Sequence, residues 1–149
     1  MRLIVQRVSS ASVTLVDSNK TVGKIDIGLL VLVGVKKGDT EKDAEILAEK
    51  LSKLRVMADL PAQAGEHGKM NLTADNFLIV SQFTLYADTK GGNRPSFINA
   101  ASPTEAREIY DYFVGKLKEK EVKVETGSFG DFMKIAADLN GPVTIILET

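Results

Sequence analysis

The chain of 149 residues has no cysteine and a single histidine, His67. Without cysteine there is neither a disulfide framework nor a thiolate metal site. One histidine cannot form a His-rich metal site, and a Ser-His-Asp triad would have to use His67 itself. That residue lies in a polar segment containing glycine, where a surface position is the usual role. We therefore predict no metal site and no cofactor.

The sequence also lacks a long hydrophobic run. Its longest apolar stretch, around residues 27–35, is interrupted by glycine. It falls well short of the roughly 20 residues that a membrane-spanning helix requires. The first residues, Met-Arg-Leu-Ile-Val-Gln-Arg, do not have the form of a signal peptide. We expect a cytoplasmic protein with no membrane partner.

An excess of charge of either sign is missing as well. Nineteen Lys and Arg residues face 20 Asp and Glu residues, for a net charge of −1. This balance argues against a protein that coats nucleic acid, although it does not exclude one that binds only the end of an RNA. No Walker or dinucleotide-binding motif is present, which argues against nucleotide-driven chemistry. Each small basic cluster, taken alone, is predicted to be solvated surface: Lys36-Lys37; Lys50, Lys53 and Arg55; Lys116, Lys118 and Lys120.

The length suits one domain, residues 1–149, with a hydrophobic fraction of 44%. Hydrophobic periodicity and turn residues predict an α+β fold, with an antiparallel or mixed sheet and two covering helices. One helix is capped by Asp39-Thr40, and the other begins at Ser102-Pro103. Strands are predicted over residues 2–8, 11–16, 21–27, 28–35, 76–86, 122–125, 132–137 and 143–147, with loops over 58–73 and 87–102.

Ser81-Gln82-Phe83-Thr84 stands out because it follows an apolar run, residues 76–80, that predicts a buried strand. A buried hydroxyl or amide without a partner costs roughly 1–3 kcal/mol. Such groups at the end of a strand are therefore either paired inside the fold or exposed in a site.

A second polar stretch, Asn140-Gly141-Pro142-Val143-Thr144, lies near the C-terminus. With Ser81-Gln82-Phe83-Thr84-Leu85, in this order and separation, it resembles the D-aminoacyl-tRNA deacylases. The resemblance implies a twisted sheet or partial barrel packed against the helices. It also implies a substrate, a D-amino acid esterified to the 3′ adenosine of tRNA. Weaker matches extend it along the chain: Val5-Gln6-Arg7-Val8, Lys69-Met70-Asn71-Leu72, Arg94-Pro95-Ser96-Phe97, and Phe129-Gly130 with Met133.

Hydrolysis of this ester requires attack by water and stabilisation of the negative charge that develops on the carbonyl oxygen. We expect the backbone amides around Phe83 and Thr84 to stabilise that charge. Ser81 and Gln82 would order the local network and the substrate. Thr84 is also a candidate nucleophile, but the sequence places no activating His near it, and it is not N-terminal. The alternative is a water positioned by the protein, with or without help from the tRNA ribose hydroxyl.

Gly141-Pro142, taken on its residues alone, predicts a plain β-turn between two strands. The resemblance instead implies that the bond is cis and that the carbonyl oxygens of Gly141 and Pro142 point the same way, into the pocket of a partner subunit. There they would accept hydrogen bonds from the substrate's α-ammonium. An L side chain would collide with this backbone, whereas a D side chain would point outward. Glycine, which has no side chain, would not be rejected. This arrangement requires a homodimer.

The resemblance also places Met133 against the terminal adenine, with Phe83 as a further candidate; the alternative is that Met133 only fills the core. Two positions depart from the family pattern. Asn140 follows Leu139 where the family usually has Asn-Asp ahead of Gly-Pro, and Phe132 precedes Met133 where a smaller or acidic residue is common. We still assign Asn140 to substrate binding, with Gly141, Pro142 and Met133.

Two other classes of function remain open from the sequence. A non-catalytic module that binds RNA ends would share the pocket but show no turnover. An amidohydrolase with a Thr or Ser nucleophile would act on small D-amino acid derivatives or peptides without any RNA. The near-neutral charge favours the amidohydrolase, and the order of motifs along the whole chain disfavours it.

Overall fold

The computed structural model describes residues 1–58 and 70–149. The strands are β1 (Arg2–Leu15), β2 (Thr21–Ile25), β3 (Gly28–Gly34), β4 (Arg55–Ala58), β5 (Met70–Thr73), β6 (Asn76–Ser81), β7 (Lys123–Thr126) and β8 (Met133–Glu148). The helices are α1 (Glu41–Ser52) and α2 (Pro103–Lys118), and a 3₁₀ turn spans Phe83–Tyr86.

β1 is the strand around which the main sheet is built. On one edge its first half pairs with β3 and its second half with β2, both antiparallel. On the other edge it pairs with β8 along almost its whole length, from Arg2 opposite Glu148 to Leu15 opposite Met133. β3, β6 and β7 continue the sheet as parallel neighbours. The result is the mixed, nearly closed sheet of the predicted α+β fold.

β3 and β6 are buried on both faces, as the continuous apolar run predicted, whereas β7 is partly exposed. One face packs against α1 and α2, where Leu47, Leu51, Phe113 and Leu117 are almost fully buried. The other face closes on a second cluster inside the curved sheet, which contains Val8, Ala11, Val13, Ile25, Leu30, Leu78 and Val80.

Both predicted helix starts are confirmed. Thr40 forms a capping box with Asp43, whose pKa is lowered to about 2, chiefly by the hydrogen bond from the Thr40 hydroxyl. Ser102 forms a second capping box with Glu105, and Pro103 occupies the first helical position. Asp39 has a different role, because its carboxylate accepts hydrogen bonds from the Met1 α-ammonium at 2.7 Å and from the Lys36 amide at 2.7 Å.

Two predicted strand breaks are wrong. The strands predicted over residues 2–8 and 11–16 form the single strand β1, which ends at Leu15, and those predicted over 132–137 and 143–147 form the single strand β8, which begins at Met133. In β1 the buried positions change phase, from Leu3 and Val5 to Val8 and then to Ala11 and Val13. The phase changes because the β1–β8 register shifts there. The alternation of apolar and polar residues is therefore broken in the sequence although the strand itself continues.

Two further predictions are corrected. The strand expected over residues 76–86 ends at Ser81, because Gln82 donates the last hydrogen bond to β3, to the Val33 carbonyl, and the chain then turns. The loop expected over residues 58–73 begins and ends in strands, since β4 and β5 pair as a small antiparallel sheet. Residues 59–69, with His67 and Lys69, lie outside the described residues. Within the described ranges, neither helix is long and apolar enough to span a lipid bilayer.

Candidate active site

Residues 81–84, the Ser-Gln-Phe-Thr motif, lie where β6 passes into the 3₁₀ turn. Ser81 closes β6 and is half-buried, Gln82 caps the turn in an extended conformation, and Phe83 and Thr84 are exposed. The Phe83 ring is 57% exposed and packs edge-on against Phe97, with 5.0 Å between the ring centroids. The motif therefore lines an open surface beyond the carboxyl ends of parallel strands, a frequent place for ligand sites.

The amides of Phe83 and Thr84 are available to a ligand. They are the first two of the 3₁₀ turn, so no carbonyl of that turn accepts a hydrogen bond from them. The turn's own bonds start later: the amide of Leu85 donates to the Gln82 carbonyl at 3.3 Å, and that of Ala87 to the Thr84 carbonyl at 3.0 Å. No other hydrogen bond from the two amides is found in residues 1–58 and 70–149. Two adjacent unpaired N–H groups can hold a developing oxyanion.

The Thr84 hydroxyl lies beside the side-chain amide of Gln82. Gln82 Nε2 donates a hydrogen bond to Thr84 Oγ1, and no other partner of this hydroxyl lies within the described part of the chain. An amide nitrogen cannot accept the proton that a nucleophilic Thr would have to lose. In that same part of the chain, no cluster of three His, Cys, Asp or Glu side chains is arranged to hold a metal ion.

Met133, the first residue of β8, borders the same edge of the sheet. Its Sδ accepts a hydrogen bond from the Ser128 amide at 3.2 Å, and its side chain packs against the inner cluster that contains Val80. Gly127 leaves the room for it: a Cβ at Gly127 would lie 2.9 Å from Met133 Sδ and 3.5 Å from Val80 Cγ1. The structure thus brings Met133 close to the strand that ends in Ser81.

Asn140, Gly141 and Pro142 do not form a turn. Gln6 pairs with Thr144 and Val8 with Leu139, so residues 140–143 bulge opposite the single residue Arg7. We call residues 140–143 the Gly-Pro bulge. A bulge on an edge strand accommodates proline because no ladder bond needs its missing N–H. The Gly141–Pro142 peptide bond is cis, and both residues are exposed.

Arg7 holds the Gly-Pro bulge to the rest of the fold. Its Nε donates to the Asn140 carbonyl at 3.0 Å, and its Nη1 donates to the Val56 carbonyl of β4 at 2.8 Å. Gly141 has φ +128°, and a Cβ there would lie 2.9 Å from Arg7 Nη2. The bulge is therefore fixed through the backbone of Asn140, so the missing acidic side chain at this position does not leave the bulge unsupported.

Within one chain the Ser-Gln-Phe-Thr motif and the Gly-Pro bulge lie on different strands of the sheet. The bulge is on β8 opposite Arg7 of β1, whereas the motif begins at the end of β6, which is joined to β1 through β3. The two also lie at different levels along the strands. Ser81 pairs with Val33 of β3, which in turn pairs with Leu3. Leu3 and Arg7 are four residues apart on β1, or about 13 Å of extended strand.

The matches to known proteins extend over nearly the whole chain. The family model described as D-Tyr-tRNA(Tyr) deacylase matches residues 4–148. The chain belongs to this family. A D-aminoacyl-tRNA deacylase of Thermosipho melanesiensis is 49% identical over an alignment that covers 100% of this chain and 97% of that protein. Membership of the D-Tyr-tRNA(Tyr) deacylase family makes the chain a hydrolase whose substrate is D-aminoacyl-tRNA.

Two solved structures agree with the fold. A c-Myc DNA Unwinding Element Binding Protein is 34% identical, with a TM-score of 0.86, and the match covers 100% of this chain and 99% of that one. A probable eukaryotic D-amino acid tRNA deacylase is 14% identical, with a TM-score of 0.79, over 99% and 98% of the two chains, and at that identity it supports the fold alone.

Two residues that position the site were missed in the sequence. Arg7 appeared there as part of a matching motif without a role, and nothing in the local sequence pairs it with Asn140, 133 residues away. Gly127 showed no signal beyond being a glycine before a predicted strand, because its purpose depends on where the Met133 side chain lies.

Gly127→Ala should move the Met133 side chain while the fold is kept. The added methyl would overlap the flexible end of Met133, which can shift, and no backbone atom lies as close. In the ¹³C-methyl NMR spectrum of the four methionines, we expect the Met133 signal to shift and the Ser128 amide signal to move with it.

Gly115→Ala in α2 is the matched control and should leave both signals in place. Outside the neighbouring helix backbone, no atom of the described residues lies within 4 Å of the added Cβ. An unshifted Met133 signal in Gly127→Ala would show that Gly127 does not position Met133.

Proposed function

We propose that D-aminoacyl-tRNA is hydrolysed at a pocket built by two copies of this chain. Residues 81–84 of one subunit would supply the reacting centre, and Gly141 and Pro142 of the other would read the chirality of the amino acid. Residues 1–149 act as one domain in the cytoplasm. The observation that carries the proposal is that the two motifs lie on different strands of one chain and at different levels of the sheet.

The exposed strand β8 supports a second copy. All of Lys134–Pro142 is exposed, and β8 pairs with β1 alone among the described residues, which leaves its other edge open. Apolar side chains on this strand are exposed to solvent: Ile146 is 60% exposed and Leu139 is 46% exposed. A long exposed edge strand with apolar side chains is unfavourable in a monomer and suits an interface. A partner packed here would also receive the Gly-Pro bulge.

At the reacting centre, the amides of Phe83 and Thr84 would hold the carbonyl oxygen of the ester as it becomes negative. Ser81 and the Gln82–Thr84 hydrogen bond order the turn that presents these amides. A positioned water is the nucleophile, because the Thr84 hydroxyl accepts a hydrogen bond from an amide and is not hydrogen-bonded to a base among residues 1–58 and 70–149. Met133 and the Phe83 ring offer flat apolar contacts for the terminal adenine.

The Gly-Pro bulge would select the D-substrate by excluding the L-substrate. Its backbone carbonyl oxygens would accept hydrogen bonds from the α-ammonium of the amino acid. Arg7 keeps the bulge in place through its hydrogen bond to the Asn140 carbonyl. With the ammonium and the ester carbonyl both fixed, the side chain of an L-amino acid would point into the bulge. Glycyl-tRNA would then be hydrolysed as well, because glycine has no side chain that could collide with the bulge.

A second candidate function, beside hydrolysis, is nucleic-acid binding that does not depend on turnover. The solved structure that is 34% identical is named as a DNA unwinding element binding protein, which favours this candidate. An assay that measures both binding and turnover separates the two functions.

The test is hydrolysis of matched D-tyrosyl-, L-tyrosyl- and glycyl-tRNA by the purified protein with a chelator present. We expect the D-tyrosyl and glycyl esters to be lost and the L-tyrosyl ester to persist. Binding of all three without turnover would favour the binding module. Loss of the L-tyrosyl ester at the same rate would contradict selection by the Gly-Pro bulge.

Phe83→Pro tests the oxyanion role of the backbone directly, because proline removes the N–H but fits the first position of a helical turn. Phe83→Ala removes the same ring and keeps the N–H, so it is the matched control. We expect kcat for D-tyrosyl-tRNA to be roughly 10²–10³-fold lower in Phe83→Pro than in Phe83→Ala. Equal kcat values would show that this amide does not stabilise the transition state.

A further inference from the structure

A polar cavity of about 370 Å³ lies beside the 3₁₀ turn and has no part in the chemistry proposed above. Tyr86, the last residue of the turn, lines it, and Lys36 and Lys37 enter it just after β3 ends at Gly34. The cavity therefore opens at the edge of the sheet where β6 ends in Ser81. Its other lining groups used below are Arg2, Asn99 and Glu148.

The charges of Arg2 and Glu148 offset each other. Arg2 Nε is hydrogen-bonded to Glu148 Oε1, and Arg2 Nη1 donates to the Leu85 carbonyl at 2.6 Å. The Arg2 guanidinium also lies over the Tyr86 ring, 5.0 Å from its centroid. Arg2 thus ties the wall of the cavity to the 3₁₀ turn, and the carboxylate of Glu148 is not left as a free negative charge.

The side chains that line the cavity have a net positive charge, because Lys36 and Lys37 add to an Arg2–Glu148 pair that is neutral. Lys36 Nζ donates to the Thr149 main-chain oxygen at 3.2 Å and lies 3.9 Å from the carboxylate of Asp39. Lys37 is exposed, and its ammonium forms no ion pair within residues 1–58 and 70–149. Its amide donates to the Asn99 carbonyl at 3.0 Å, which fixes the backbone of Lys37 beside the cavity.

Tyr86 adds a neutral donor to the same cavity. Burial, followed by the nearby negative charge of Asp39, raises the pKa of Tyr86 to about 12. Its phenol is therefore protonated at neutral pH and can donate a hydrogen bond to an anion. Two ammonium groups, a phenol and the Asn99 amide together match the needs of a phosphate group.

We infer that this cavity binds a backbone phosphate of the tRNA 3′ strand, next to the nucleoside that carries the ester. The inference depends on the proposed function, which places that ester at residues 81–84. Tyr86 follows Thr84 by two residues of the 3₁₀ turn, a rise of about 4 Å. An RNA strand that leaves the reacting centre along this turn passes directly over Lys36 and Lys37.

The test compares one ester with and without phosphate. Wild type, the pair Lys36→Gln/Lys37→Gln, and Lys37→Glu alone are assayed on D-tyrosyl-tRNA and on D-tyrosyl-adenosine, which has no phosphate. Lys37→Glu serves as the second variant because Lys37 forms no ion pair within the part of the chain that the structure describes. Lys50→Gln/Lys118→Gln, two exposed lysines on α1 and α2, is the matched control.

We expect kcat/KM on D-tyrosyl-tRNA to fall about tenfold more than on D-tyrosyl-adenosine in the Lys36/Lys37 variants, mainly through KM. The slope of log(kcat/KM) against log[salt] should become shallower by about 1 with the tRNA substrate. The control pair should change neither quantity. Equal effects on both substrates, or an unchanged salt slope, would overturn the inference while leaving the proposed function intact.

Failure of the proposed function would look different, because wild type would then hydrolyse neither ester. The phosphate site would still be tested by fluorescence anisotropy, with an acceptor-stem RNA that ends in CCA and carries no amino acid. Loss of affinity in Lys36→Gln/Lys37→Gln, but not in Lys50→Gln/Lys118→Gln, would support it. Equal affinities would reject it.

Discussion

The pairing of β8 along β1 is the constraint on which the positions of both functional motifs depend. β1 needs hydrogen-bond partners on both edges over 14 residues, and β8 supplies one whole edge. Four residues of β8, 140–143, must fit opposite Arg7 alone, so they bulge outward. The same strand begins at Met133, beside the end of β6. One strand thus carries Met133, the proposed adenine contact, at its start and the Gly-Pro bulge about eight residues further on.

This geometry separates two tasks that a chirality-reading hydrolase has to perform. The amides of Phe83 and Thr84 are presented by a turn that is fixed to the buried strands, so they need no side chain for positioning. In the proposed function, rejection of the L-substrate is assigned to the Gly-Pro bulge, which Arg7 holds in place. Because the two parts lie on different strands of one chain, we join them through a second copy. Both proposed tasks would use backbone groups, which fits a substrate whose side chain varies.

Features set by neighbouring residues were predictable from the sequence, and features set by distant pairing were not. The capping box at Ser102 and the buried run that forms β3 follow from a few adjacent residues, and both are confirmed. The continuity of β1 could not be predicted, because a register shift imposed by β8 changes the phase of its buried positions. Gly141-Pro142 has the local signature of a turn, and only its pairing opposite Arg7 makes it a bulge. The candidate site residues were assigned mainly through family resemblance and stay a prediction, whereas Arg7 and Gly127 became visible through contacts alone.

The most direct test of a pocket shared between subunits is a mixed-dimer assay. Phe83→Pro, lacking the oxyanion donor, is refolded one-to-one with Gly141→Ala, whose Cβ would meet Arg7 and which is expected to hydrolyse both D- and L-tyrosyl-tRNA. In half of the dimers formed by random mixing, the intact 81–84 motif of the Gly141→Ala subunit then faces the intact bulge of the Phe83→Pro subunit. The account predicts that L-ester hydrolysis per Gly141→Ala subunit falls by about half, while D-ester hydrolysis is kept. Unchanged L-ester hydrolysis on mixing would contradict it, because each pocket would then use the bulge of its own chain.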